Sequence, residues 1–362
     1  MKICFLAPAS SIHTVKWCHY FSAHGHEVHV ISFTGESIDH AIVHHLKNHV
    51  AVGGGDLQKI LYLTCAGQVK KLVREISPDI ISVHYATSYG TLAALAGLKN
   101  YVLSVWGSDI FDFPRRSAMH RALLKYSLRH AKYLFSTTQA MAEEAAQYTD
   151  KPFEITPFGV DVKLFAPDKR TRNSDDGVFV LGTVKALAPE YGIDTMLRAV
   201  QLVRAQHPEI PIRVRIAGDG ACKEEYHELA KNLGIDDITS WLGFISQEQA
   251  AAEWANMDTA VICSRHESFG VSAVEAQACT CPVIVSEIPG LMEAVDPGRS
   301  STVVPCDDAQ ATADVITELY YDPERRKRMG AQGREFVCKK YEMSACFHKV
   351  ETLFIKYAER SR

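Results

Sequence analysis

Two carboxylates bracket a short run with a recognisable chemical logic, Glu267-Ser-Phe-Gly270-Val271-Ser272-Ala-Val-Glu275. Upstream, the apolar run from Asp258 to Ser264 reads as a buried strand. Downstream, Ala-Val-Glu-Ala-Gln-Ala reads as a helix. Glu267 therefore lies in a loop at the C-terminal end of a strand, and Glu275 lies inside the next helix, past its first turn. Ligands of open α/β sheets bind at such strand ends. The N–H groups of a helix beginning near Gly270 and Val271 suit a diphosphate, with Val271 and Ser272 offered to the distal phosphate. Gly270 lets the backbone approach closely. A carboxylate accepts two hydrogen bonds from a vicinal diol. A nucleotide sugar meets all these demands, with ribose hydroxyls on Glu275, a diphosphate at the helix start and sugar hydroxyls on Glu267.

A cation belongs beside such an anion. Lys185 follows the apolar run Phe179–Val184, at the C-terminal end of a second expected strand, where it would neutralise a leaving diphosphate. A third strand, Ile80–Val83, ends on the imidazole of His84.

The elements needed to carry these residues are legible in the chain. Lys2–Ala7 reads as a strand, Val15–His24 as a helix closed by Gly25, and Glu27–Phe33 as a strand. The alternation continues through a helix at Leu57–Ile76, a strand at Ile80–Val83, a helix at Thr91–Leu98, a strand at Tyr101–Val105, a helix at Ala118–Ala131 and a strand at Tyr133–Ser136. It breaks between Gly159 and Gly177, a polar, charged stretch that reads as a linker. A second series follows, with strands at Val178–Val184, Ile212–Ala217, Ile238–Leu242, Thr259–Cys263 and Pro282–Val285. The chain closes with helical sequence from Ala309 to Tyr357, interrupted at Asp322-Pro323 and near Lys340-Tyr341. Alternation of this kind predicts parallel sheets covered by helices. At 362 residues the chain suits two domains.

Composition narrows the function. A net charge of −4 speaks against a nucleic-acid partner. No run reaches the length of apolar residues that a membrane-spanning helix needs, and Met1-Lys-Ile-Cys-Phe-Leu-Ala-Pro reads as a strand rather than a leader. The expected location is the cytoplasm. Ten scattered cysteines without a CxxC pair read as core packing. The sixteen histidines are dispersed, and those at 24, 26, 29, 44, 45 and 49 read as solvated.

The paired-glutamate segment resembles the signature of retaining GT-B glycosyltransferases of the glycosyltransferase 4 type. The resemblance extends over nearly the whole chain. It takes in Pro157-Phe-Gly-Val-Asp161 with Leu164-Phe165, Gly182-Thr-Val-Lys185 with Tyr191-Gly192-Ile193-Asp194, Ala217-Gly-Asp-Gly220, Trp241-Leu-Gly-Phe244, Cys281–Ser286 and Pro289–Glu293. It implies an α/β GT-B fold, with two Rossmann-like domains whose parallel sheets face a cleft. The boundaries are 1–160 for an acceptor-side domain and 177–340 for a nucleotide-sugar domain, with a C-terminal helix in 341–362 crossing back to the first. The family's strand-end histidine, which contacts the donor sugar, matches His84. Trp106-Gly107-Ser108-Asp109 resembles its Gly-x-Asp loop, so Asp109 either orders that loop or touches the acceptor. The loop Pro8–Thr14 lacks the glycine pair of many relatives; Ser11 takes that place, and His13 faces the acceptor. The family also pairs an arginine after the first glycine with a lysine before Gly-Ile-Asp. Here Thr183 and Tyr191 stand at those positions, which leaves Lys185 in the arginine's role and Arg265 or Lys163 to stand in for the second cation.

The implied reaction moves a hexosyl or N-acetylhexosaminyl unit, with retention, from a nucleotide diphosphate sugar to a hydroxyl acceptor. Uridine is the expected base and guanosine the next. The chief demand is stabilisation of the leaving diphosphate, which a helix start and a lysine can meet without metal; the chain has no Asp-x-Asp triplet. No cofactor is expected. The acceptor is a saccharide or a lipid-linked one, in surface polysaccharide or glycolipid assembly. Asp112-Phe-Pro-Arg-Arg116 combines apolar and basic residues that suit peripheral contact with a membrane surface and equally make a plain loop. The competing reading is a GT-B enzyme that transfers nothing, such as a UDP-sugar 2-epimerase. A nicotinamide-dependent Rossmann enzyme would show G-x-G-x-x-G after the first strand, where this chain has Ala7-Pro-Ala-Ser-Ser.

Overall fold

The computed structural model describes residues 1–47, 61–172 and 177–360. They form two compact units. One comprises Met1–Phe158 with Ser344–Arg362; the other is Gly159–Met343.

The first unit is built on seven strands, β1 Lys2–Leu6, β2 Glu27–Ser32, β3 Ile42–His45, β4 Ile80–His84, β5 Val102–Val105, β6 Tyr133–Ser136 and β7 Phe153–Ile155. They lie in the order β3-β2-β1-β4-β5-β6-β7, and every neighbouring pair is parallel. The second unit carries β8 Phe179–Val184, β9 Ile212–Ala217, β10 Thr239–Trp241, β11 Thr259–Ile262, β12 Val283–Ser286 and β13 Ser301–Val304. Their order is β10-β9-β8-β11-β12-β13, again all parallel. Parallel strands need covering on both faces, so the central ones are near-continuous apolar runs. β1 and β8 are buried along almost their whole length. Both sheets have the doubly wound order in which the chain moves outward from the first strand, then returns to its other side.

The α/β reading holds, with differences at the edges. β3 has no counterpart among the strands read from the sequence. The histidines of β2 and β3 are not all solvated: His29 is buried in β2, its Nδ1 lies 2.9 Å from His44 Nε2, and its Nε2 meets Glu27 at 2.8 Å. An edge strand tolerates polar side chains because only one of its sides is paired. β7 and β13 are short edge strands that the sequence pattern did not reveal. Helix Ala66–Ile76 follows a 3₁₀ turn at Leu61–Cys65. Residues 57–60 of the expected helix, and His49, lie outside the described residues.

The stretch 159–177 is more than a connector. Val160 N–H donates to Tyr341 O at 2.8 Å, and Met343 N–H donates to Val160 O at 3.0 Å. Phe165 is fully buried, Asp161 Oδ1 caps the N–H groups of Lys163 and Leu164, and Arg172 is paired with Asp258. Residues 173–176 lie outside the described residues.

Helix Met343–Glu359 belongs to the first unit. Its Phe347 and Phe354 pack against Phe5, Trp17 and Phe21. Its buried Glu351 accepts from Tyr20 Oη at 3.1 Å and meets His26 Nε2 at 2.7 Å, so His26 is an anchored residue rather than a solvated one.

Candidate functional site

Each sheet has one place where successive connections leave in opposite directions, and there the loops part to leave a crevice. In the second unit that place lies between β8 and β11; in the first it lies between β1 and β4. Lys185 follows β8, and Arg265 and Glu267 follow β11. Ser11 and His13 follow β1, and His84 ends β4. These candidates thus cluster, unit by unit, at the two switch points, whereas Asp109 follows β5.

In the second unit, Lys185 Nζ is ion-paired with Glu267 Oε2, and the two side chains are 10% and 11% exposed. The same ammonium lies 4.4 Å from the centre of the Tyr191 ring. The lysine backbone is pinned to the sheet, its N–H donating to Ala217 O at 2.8 Å. Helix Val271–Ala278 starts beside this pair, and Ser272 Oγ donates to Val184 O at 2.9 Å, tying the helix start to the end of β8. The N-cap is Gly270 at φ 77°. A Cβ there would lie 2.9 Å from Leu291 Cδ2, so glycine satisfies both the dihedral and the packing. The first N–H groups of an α-helix have no partner within it, which gives an ammonium and a helix start side by side. Glu275 is half-buried within that helix.

Arg265 is held elsewhere. Its Nη atoms fork onto Asp194 at 3.0 and 2.7 Å, and its Nε pairs with Asp307 at 2.7 Å. The Asp194 bond, with Asp307 in support, holds the guanidinium above its ordinary pKa despite partial burial. Burial alone would push the Asp194 carboxyl up, but Arg265 outweighs it and the carboxyl sits below its usual range. Lys163 lies in the Asp161-capped turn.

In the first unit, His84 is fully buried among rings, with centroids 4.9 Å from Trp17, 4.7 Å from Trp106 and 5.5 Å from Phe5. Ser82 Oγ lies 3.4 Å from its Nε2, and its Nδ1 has no partner among the described residues. Burial, with His13 nearby, drives its pKa down to about 3. His13 stacks on Phe158 at 3.9 Å; burial, aided by Lys16, lowers its pKa to about 4. Both imidazoles are therefore neutral at physiological pH. Ser11 is the N-cap of helix Ile12–Ala23, without a side-chain capping bond. Asp109 is buried and accepts from the N–H groups of Ala86 (2.9 Å), Trp106 (3.1 Å) and Gly107 (2.9 Å). It thus knits the ends of β4 and β5 together. Burial raises its pKa, and these three bonds oppose the rise.

Sequence reading did not find the parts played by Tyr191, Asp194 and Asp307. Asp194 was in view as part of Gly-Ile-Asp, but nothing in the chain announces that Asp307, far along the sequence, closes on Arg265.

The two doubly wound sheets, each with polar residues at its switch point, define an α/β GT-B protein. Solved structures agree on the fold: sucrose-phosphate synthase from Thermosynechococcus elongatus superposes with a TM-score of 0.85 at 20% identity over 98% of both chains. Anabaena HepE, solved in complex with UDP and glucose, gives 0.77 at 19% identity over 98% of this chain and 99% of its own. The Glycosyl transferase 4-like family matches residues 2–138, and the Glycosyl transferases group 1 family matches residues 165–336. The D-inositol 3-phosphate glycosyltransferase of Pseudarthrobacter chlorophenolicus is 31% identical over 278 residues, or 70% of this chain. That of Stackebrandtia nassauensis is 33% identical over 189 residues, or 49% of this chain. The chain spans 64% and 43% of those two relatives' lengths. The chain belongs to the GT-B glycosyltransferases of the glycosyltransferase 4 type. Among the described residues, no helix is long and apolar enough to cross a membrane.

Proposed function

We propose that this protein is a retaining glycosyltransferase that moves a hexosyl or N-acetylhexosaminyl unit from a nucleotide diphosphate sugar to a hydroxyl acceptor. The observation that carries the reading is the Lys185–Glu267 pair beside the Gly270-capped start of helix Val271–Ala278, at the switch point of the second sheet. The ammonium and the helix N–H groups would take the diphosphate, Glu275 the ribose and Glu267 the transferred sugar. The leaving phosphate can then receive the acceptor's proton on the face it departs from, which gives retention without a separate base. Lys185 and the helix start supply the positive charge this step needs, so activity without a divalent cation is part of the proposal. His13 and Ser11 belong to the acceptor-side unit, as does His84, which is fully buried there. UDP is the preferred carrier, a choice supported by the UDP complex of the fold relative HepE. Surface polysaccharide or glycolipid assembly at the cytoplasmic side of a membrane is the setting proposed.

The test combines thermal shift with product analysis. UDP, GDP and their sugars are screened with and without EDTA, and stabilising donors are then incubated with hydroxyl acceptors. Metal-free stabilisation by one nucleoside diphosphate, followed by transfer with an unchanged anomeric configuration, is expected. Stabilisation that vanishes with EDTA would overturn the metal-free reading, and interconversion of the donor's sugar without transfer would identify an epimerase.

A further inference from the structure

Tyr191 occupies the position at which the resembled sequence pattern carries its second cation, and its ring faces the first. Lys185 Nζ lies 4.4 Å from the ring centre, and this arrangement is built from several directions. The turn Pro189–Tyr191 is closed by Tyr191 N–H donating to Ala188 O at 3.1 Å. Arg265 N–H donates to Glu190 O at 2.8 Å, while its guanidinium bonds Pro189 O and the carboxylates of Asp194 and Asp307. Gly192 follows at φ 62°, where a Cβ would run into the carbonyl of Cys263. The lysine stem is fixed independently: its N–H bonds Ala217 O, and Leu187 N–H bonds Asp219 O at 3.1 Å. The sheet therefore places the stem, the clamped turn places the ring, and the ammonium meets both the ring and Glu267.

We infer that Tyr191 is a positioning residue for the diphosphate-binding ammonium of Lys185, an inference that rests on the transferase reading above. The chemistry favours a ring over a second carboxylate. An aromatic face attracts a cation through its quadrupole but carries no net charge to repel an arriving phosphate. When a diphosphate draws Lys185 away from Glu267, the Tyr191 face holds the ammonium within its reach. Arg265, as the clamp of this turn, acts one step further back.

The test is a double-mutant cycle in the full chain, with UDP as the probe and GDP in a parallel series. Tyr191→Leu should weaken nucleotide binding about 5- to 30-fold in the parent, and Tyr191→Phe should restore it, since the ring face is kept. In a Lys185→Gln background the same Tyr191→Leu change should have almost no effect. Equal weakening in both backgrounds would show that Tyr191 merely supports the loop, and no weakening in the parent would remove its role; either result overturns the inference. A readout without nucleotide runs beside it. After reductive ¹³C-methylation, the Lys185 resonance, identified by its loss in Lys185→Arg, should be shifted upfield by the ring. It should return to the ordinary position in Tyr191→Leu but not in Tyr191→Phe. An unshifted parent resonance overturns the contact and leaves the transferase reading standing. Failure of the parent to bind any nucleoside diphosphate, with the upfield shift present, overturns the transferase reading and the positioning role with it.

Discussion

Lys185 and Glu267, on the loops that leave the neighbouring strands β8 and β11, neutralise one another with only 10% and 11% of their side chains exposed. The cation proposed for the diphosphate and the carboxylate proposed for the sugar are thus partners before any ligand arrives. Binding a diphosphate must exchange one anion for another at the same ammonium.

This exchange makes the Glu267→Gln variant informative. The amide keeps the shape and releases the ammonium, so bare UDP should bind at least as tightly as to the parent. Turnover should fall, because the carboxylate's contact with the transferred sugar is lost. Titration calorimetry with UDP beside initial transfer rates checks both halves. UDP binding about tenfold weaker would show instead that Glu267 is needed to aim the lysine.

Glu275→Gln should weaken UDP binding by about 1.5–3 kcal/mol, the usual worth of a hydrogen bond to a charged group. With 2′,3′-dideoxy-UDP the parent and the variant should bind alike, because no diol remains for the carboxylate to accept from. A penalty of the same size with the dideoxy nucleotide would place Glu275 away from the ribose.

His84 gives a pH dependence with a definite sign. Its folded pKa is depressed to about 3 from an ordinary 6.5. Below 6.5 the unfolded chain takes up a proton that the folded chain refuses, so stability falls as pH drops and the loss ends near 3. The slope is about 1.4 kcal/mol per pH unit for each such group. Amide exchange of β1 and β4 between pH 6.5 and 4, corrected for intrinsic rates, should show this slope. In His84→Phe it should shrink by about that amount. An unchanged slope would show that His84 is already charged or becomes hydrated in the folded protein.

Asp109→Ala should destabilise the first unit by about 2–4 kcal/mol, because three backbone N–H groups lose one acceptor and such groups are costly to bury unpaired. Denaturant unfolding measures the loss. Full stability in the alanine variant would mean that water replaces the carboxylate. Nucleotide binding by the second unit should be unaffected.

Much of this was legible in the chain, for physical reasons that differ by element. The central strands announce themselves because parallel strands buried on both faces must be apolar throughout, as Phe179–Val184 and Thr259–Ile262 are. The edge strands Ile42–His45 and Phe153–Ile155 lack that pressure and read as loop. The positions of Glu267, Gly270 and Lys185 followed from strand ends and a helix start, which are local signals. The Arg265 clamp did not follow, since its partners Asp194 and Asp307 reach it only through the fold. Nor did the Tyr191–Lys185 contact, in which a residue that looks like a lost cation supports the one that remains.

The route of the chain through its two units has a consequence for how the protein is made. The second unit, Gly159–Met343, is one continuous stretch inserted into the first, whose last helix comes from the far end of the sequence. A translating ribosome therefore releases the sheet of the first unit early, but the cover for Phe5 and Phe21 arrives only with Phe354. Closing contacts of such long sequence separation are slow and leave apolar surface waiting. The domain begun first is completed last, and the inserted one can fold while its host is still open.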